Sequence, residues 1–96
     1  MTNPKNSLNQ KPMIKIINNV KLLKVNKNEI LDLNSILNEN FFKILLYIKE
    51  QLKSIKFKSE AIIYVNGTTD NYSFIIKHED QEIINLIESI IEKATK

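Results

Sequence analysis

The strongest constraint on this 96-residue chain is a run of apolar residues at Ile30, Leu33, Leu37, Phe41, Ile44, Ile48, Leu52 and Ile55. Successive members lie three or four residues apart, the spacing of a helix with one buried stripe. The pattern predicts helix from about residue 29 to about residue 56. It is either one long helix or two that meet near Asn38-Glu39-Asn40, three residues of modest helix propensity. Asn28 is the expected cap, with Glu29 and Asp32 near the positive end of the helix dipole. Phe42, Leu45 and Leu46 sit beside the main stripe and widen it. Segment 41–48 should therefore be covered on two sides, by a sheet and by another helix or a second subunit.

The flanking segments read as strands. Ile14, Ile16 and Ile17, then Val20, Leu22, Leu23 and Val25, form short β-type runs around Asn18-Asn19. Paired asparagines suit a tight hairpin, and a single bulged strand is the alternative. Residues 61–65 and 72–76 are a second strand pair around Asn66-Gly67-Thr68-Thr69-Asp70-Asn71. A six-residue loop would set Val65 opposite Tyr72, Ile63 opposite Phe74 and Glu60 opposite Lys77. An Asn66-Gly67 turn would instead set Ile63 opposite Asp70, a poorer match. Both faces of this hairpin carry apolar bulk, which expects a central place in a sheet or an interface. Glu79-Asp80 opens a last helix with Ile83, Ile87, Ile90 and Ala94 as its stripe and Lys93 and Lys96 at its negative end. Residues 1–12, with two prolines, read as a flexible arm before a single domain of residues 13–96.

The expected fold class is α+β. A small antiparallel sheet (two hairpins, or strand plus hairpin) packs with a long central helix or helix pair and a C-terminal helix. With two central helices, the element order resembles that of type I KH modules, which clamp a nucleic-acid backbone with a Gly-x-x-Gly loop between the helices. The one glycine, Gly67, lies in the hairpin loop, so that motif is missing. A winged helix with residues 60–77 as its wing has a similar order.

The inventory for catalysis is thin. His78, beside Glu79 and Asp80, is the only histidine, and cysteine is absent. Neither a histidine-pair metal site nor a thiol or disulfide can be built. One glycine cannot form a phosphate-cradling loop. A non-catalytic protein is expected, without catalytic residues, metal, cofactor or small-molecule substrate. No apolar run approaches the length of a membrane span, and Met1–Ser7 lack the apolar stretch of a secretory signal, so a cytoplasmic location is expected. The Asn-x-Ser/Thr patterns at Asn66 and Asn71 then read as chance.

All 14 basic side chains are lysine, and Lys, Ile and Asn are all heavily used, as in an AT-rich genome. The absence of arginine removes the usual bidentate reader of guanine and phosphate. Residues 1–58 carry a net charge of +7 and residues 59–96 a net charge of −4. This asymmetry and the surplus of apolar faces point to a protein–protein interaction module (adaptor, inhibitor or assembly subunit) that self-associates, with a homodimer expected. Phe42, Leu46, Ile62, Tyr64 and Ile75 are the expected contact residues. The alternative is non-sequence-specific nucleic-acid binding through Lys49, Lys53 and Lys56, grouped on the central helix, with Lys58 just beyond. No aromatic residue interleaves those lysines, which leaves base stacking unsupported there.

Overall fold

A computed structural model describes residues 13–26, 28 and 32–96. The elements run β1 (Ile14–Lys21), α1 (Leu33–Leu52), β2 (Ala61–Thr68), β3 (Asn71–Lys77) and α2 (Gln81–Thr95). The α+β architecture is as expected, in the strand-plus-hairpin form. The sheet is mixed rather than antiparallel: its order is β1-β2-β3, with β1 parallel to β2 and β3 antiparallel to it. A chain that leaves β1 through a helix returns most directly to a parallel neighbour. The arm at residues 1–12 and the helix start at Glu29 and Ile30 lie outside the described residues.

Several local expectations are corrected. Asn18-Asn19 is no turn; both residues lie within β1, paired with Val65 and Asn66. The cap of α1 is Asp32, whose side chain accepts from the Asn34 N–H at 2.9 Å, whereas Asn28 lies in a turn upstream. The central helix is single and ends at Leu52, short of Lys56. One helix therefore stands where the KH order has two, and the 61–77 hairpin is built into the sheet rather than projecting as a wing. In the hairpin, Thr68 pairs with Asn71, Val65 with Phe74 and Ile63 with Ile76, closing on Thr69-Asp70. This register is two residues from the six-residue-loop expectation. A slip by an even number keeps every side chain on its face, so apolar pairing alone does not discriminate. Gly67 lies inside β2 with φ of 123°, and a Cβ there would run into the Asn71 carbonyl and within 2.9 Å of Tyr72 Cα. Its glycine serves this close approach, not the turn.

Both helices pack on one face of the sheet. Phe41, Ile48 and Leu52 of α1, Ile63 and Val65 of β2 and Ile87 of α2 are fully buried together. Each such side chain contributes roughly 1.5–3 kcal/mol by leaving water. Ile14, Ile16 and Val20 of β1 and Tyr72, Phe74 and Ile76 of β3 flank them. Tyr72 lies edge-on to Phe41 at 4.9 Å, and burial pushes its phenol above the ordinary value.

Asn38, expected at a helix break, instead sits buried within α1. Its Nδ2 donates to the Leu23 carbonyl at 3.0 Å, and its Oδ1 accepts from the Leu23 N–H at 2.9 Å and the Thr69 hydroxyl at 2.6 Å. One amide thus fastens the chain after β1 and the β2–β3 turn to the helix. Its polar atoms are satisfied, so the network strengthens the packing rather than interrupting the helix.

Candidate interaction surfaces

His78 is occupied structurally. Its Nδ1 accepts from the Asp80 N–H at 2.9 Å, which leaves the proton of the neutral ring on Nε2, 3.1 Å from the Ser59 hydroxyl. The ring meets Phe57 edge-on at 6.2 Å, so it ties segment 57–59 to the start of α2. Among the described residues no group of His, Asp and Glu is placed to hold a metal ion, and no helix is long and apolar enough to cross a membrane. What the fold does offer is surface, at both sheet edges and on the open face.

The first edge is β1. The Met13 carbonyl accepts from the Ala61 N–H at 2.8 Å and the Lys21 carbonyl from the Thr69 N–H at 3.2 Å. In this parallel ladder the odd-numbered residues of β1 turn their backbone toward β2, and the even-numbered ones turn theirs outward. The Val20 N–H is held by Asn18 Oδ1 at 2.9 Å. Ile14, Ile16 and Asn18 present an edge that meets no other strand among the described residues. Beside it runs a groove against α1, lined by Ile16, Leu45, Phe42 and Leu46 and continuing to Leu52. Phe42 is 48% exposed and Leu46 59%, large fractions for such side chains. Lys15, Lys49 and Lys53 rim the groove, and Lys53 also meets Glu50 at 3.0 Å.

The opposite edge is β3 against α2. Here Phe74 and Ile76 of the strand and Ile91 of the helix line an opening whose charged groups are Glu88 and Glu92. Glu88 and Glu92 are one helical turn apart and so share a face. The two edges of one sheet therefore carry similar apolar seams with opposite charge.

The third surface is the sheet face turned away from both helices. Side-chain alternation places Ile17, Tyr64 and Ile75 in one row across the three strands, with Lys15, Ile62 and Lys77 in the next. Lys77 Nζ lies 5.8 Å from the centre of the Tyr64 ring.

The five expected contact residues do not form one patch. Phe42 and Leu46 belong to the β1 groove, while Ile62, Tyr64 and Ile75 lie on the open face. Segment 41–48 is covered by the sheet and by α2, as expected, with Phe41, Leu45 and Ile48 buried and Ile44 half-buried beside Ala94. Phe42, Leu46 and Tyr47 stay exposed. The expected lysine group also divides. Lys49 and Lys53 line the β1 groove, and Lys56 and Lys58 follow the helix in the loop, exposed. The register brings a ring among lysines where sequence proximity did not, through Tyr64 and Lys77. Lys15, Glu88 and Glu92 were not singled out by sequence, and Lys77 only as a partner for Glu60, whereas it pairs with Ile62. The Glu88–Glu92 spacing was legible, but its place at a sheet edge depends on strand order.

No protein-family model, curated protein or solved structure matches the chain.

Proposed function

We propose that this protein is a non-catalytic interaction module that self-associates head to tail, the β1 edge of one copy adding to the β3 edge of the next. The observation that carries the reading is the pair of apolar seams with opposite charge, Lys15, Lys49 and Lys53 at β1 and Glu88 and Glu92 at β3. Strand order supports it as well. β3 runs antiparallel to β1 within one copy, so a translated second copy would set its β3 antiparallel to the exposed β1. Backbone hydrogen bonds along the edge would supply affinity, as in strand addition generally. Phe42 and Leu46 would bury the exposed apolar surface, and the charges would set partner and direction.

A heterologous contact of this kind continues into a ring or an open filament rather than closing on a twofold dimer. The homodimer expected from sequence is the simplest member of the self-associating class, and this geometry favours the extended members. The reducing cytoplasm is the proposed setting, in keeping with a cysteine-free chain.

Sedimentation velocity over a wide concentration range tests the reading. Species larger than a dimer should grow with concentration and shrink as salt is raised, because opposite charges are screened. Leu46→Glu, at an exposed position, should return the protein to a monomer with its fold intact. A protein that stays monomeric at every concentration and salt would overturn the proposal.

A further inference from the structure

The sheet face opposite the helices has a chemistry of its own. None of its strand positions is Asp or Glu, and Lys15, Lys21 and Lys77 all belong to it. The nearest acids in sequence, Glu60 and Asp70, stand before β2 and in the turn, where Asp70 accepts from the hydroxyl of Thr68, the open-face neighbour of Lys21. Lys15 and Lys77 flank Ile62 on the two outer strands, about 10 Å apart, and Lys21 lies about 20 Å from Lys15 along β1. Tyr64 sits at the centre strand between Ile17 and Ile75. The next row holds an amide pair, Asn19 Nδ2 donating to Asn66 Oδ1 at 3.0 Å. Among the described residues neither helix packs on this face.

We infer that this face is a binding surface for single-stranded nucleic acid. The sign of the charge selects a polyanion, since three lysines at strand positions outweigh the one carboxylate, Asp70, that reaches this face at its turn end. The ring selects the form of polyanion: an aromatic face stacks on an unpaired base and has no such partner in a closed duplex. Lys77 now lies near that ring, and an arriving base would free its ammonium for a phosphate. Asparagine amides carry both donors and acceptors for base edges. The row of Asn19, Asn66 and Ser73 is also too polar to be the core of an apolar protein interface. Lysine without arginine gives attraction without the forked geometry that reads guanine, so binding should depend little on sequence. The inference does not require self-association, though a head-to-tail sheet would align the faces of successive copies into one track.

Fluorescence anisotropy with labelled oligouridylate tests it, with a DNA duplex of equal length and heparin as comparisons. The single strand should bind more tightly than the duplex. Its log affinity should fall with log salt at a slope of about −2, the value for three phosphate contacts on a single strand. Tyr64→Phe should bind as the parent does, and Tyr64→Ala should weaken binding about tenfold, the loss of one stacked base. Lys21→Glu with Lys77→Glu changes only exposed side chains and should abolish binding while the melting temperature holds, so a misfolded Tyr64→Ala protein would still leave the inference open to refutation. Lys49→Glu with Lys53→Glu should leave binding largely unaltered. Three results would overturn the inference: no binding at low salt; equal binding of single strand, duplex and heparin with no effect of Tyr64→Ala; or loss of binding in the α1 variant alone. Binding that persists in a monomeric Leu46→Glu protein would support this surface even where the self-association reading had failed.

Discussion

Asn38 shows how a single side chain can be structural glue that composition does not reveal. Its amide meets the Leu23 backbone twice and the Thr69 hydroxyl once, inside a helix and nearly out of water. Asn38→Ala would strand those partners, with an expected loss of about 2–3 kcal/mol of unfolding free energy in denaturant titrations. Loss of less than about 0.5 kcal/mol, the level of an ordinary surface change, would contradict the clamp. Tyr72 gives a pH signature at the same scale. Desolvation raises its pKa in the folded state, so folding favours the neutral phenol. The stability this contributes is complete below the unfolded value near 10 and fades as pH rises through the higher folded value. Thermal melts at alkaline pH should fall more steeply for the parent than for Tyr72→Phe, which has nothing to ionise there. Parallel pH profiles would place the alkaline loss elsewhere.

Among the elements, β1 has the most consequential geometry, because its even-numbered backbone groups face outward. Ile16→Pro removes an N–H that β2 does not use, so the β1–β2 ladder should survive while strand addition at the edge is blocked. Circular dichroism should remain that of the folded protein as association weakens; unchanged association would show that no strand adds there. The helices were legible in the sequence because their apolar period is local and long. The stripe of α2 through Ile87, Ile90 and Ala94, and its start at Asp80, appear as the spacing indicates. The start of α1 was less legible, since Asn28 and Asp32 are both good caps and only the path of the chain selects Asp32. Strand pairing was not legible at all. β1 pairs with β2 some 47 residues away, as Ile14 with Ala61, and no local signal reports such a partner. The hairpin register misled because slips by two preserve each face, and because Asn66-Gly67 has the chemistry of a turn while Gly67 serves a crossing contact.

For the whole molecule, the halves of the sequence already differed in sign, and the fold turns that difference into two opposed edges. Lysines of the first half gather with β1 and α1, glutamates of the second with β3 and α2. The candidate contacts were legible one by one as surplus apolar residues; their division between a groove and an open face was not, because it depends on strand order. Head-to-tail addition at those edges is the central claim, and its most direct test is charge exchange. One variant carries Lys49→Glu and Lys53→Glu, so both its edges are acidic; the other carries Glu88→Lys and Glu92→Lys, so both are basic. Sedimentation velocity should find each variant monomeric alone and the equimolar mixture assembled in alternation. Two variants that associate as readily alone as the parent does, or a mixture that stays monomeric while the parent assembles, would contradict the account.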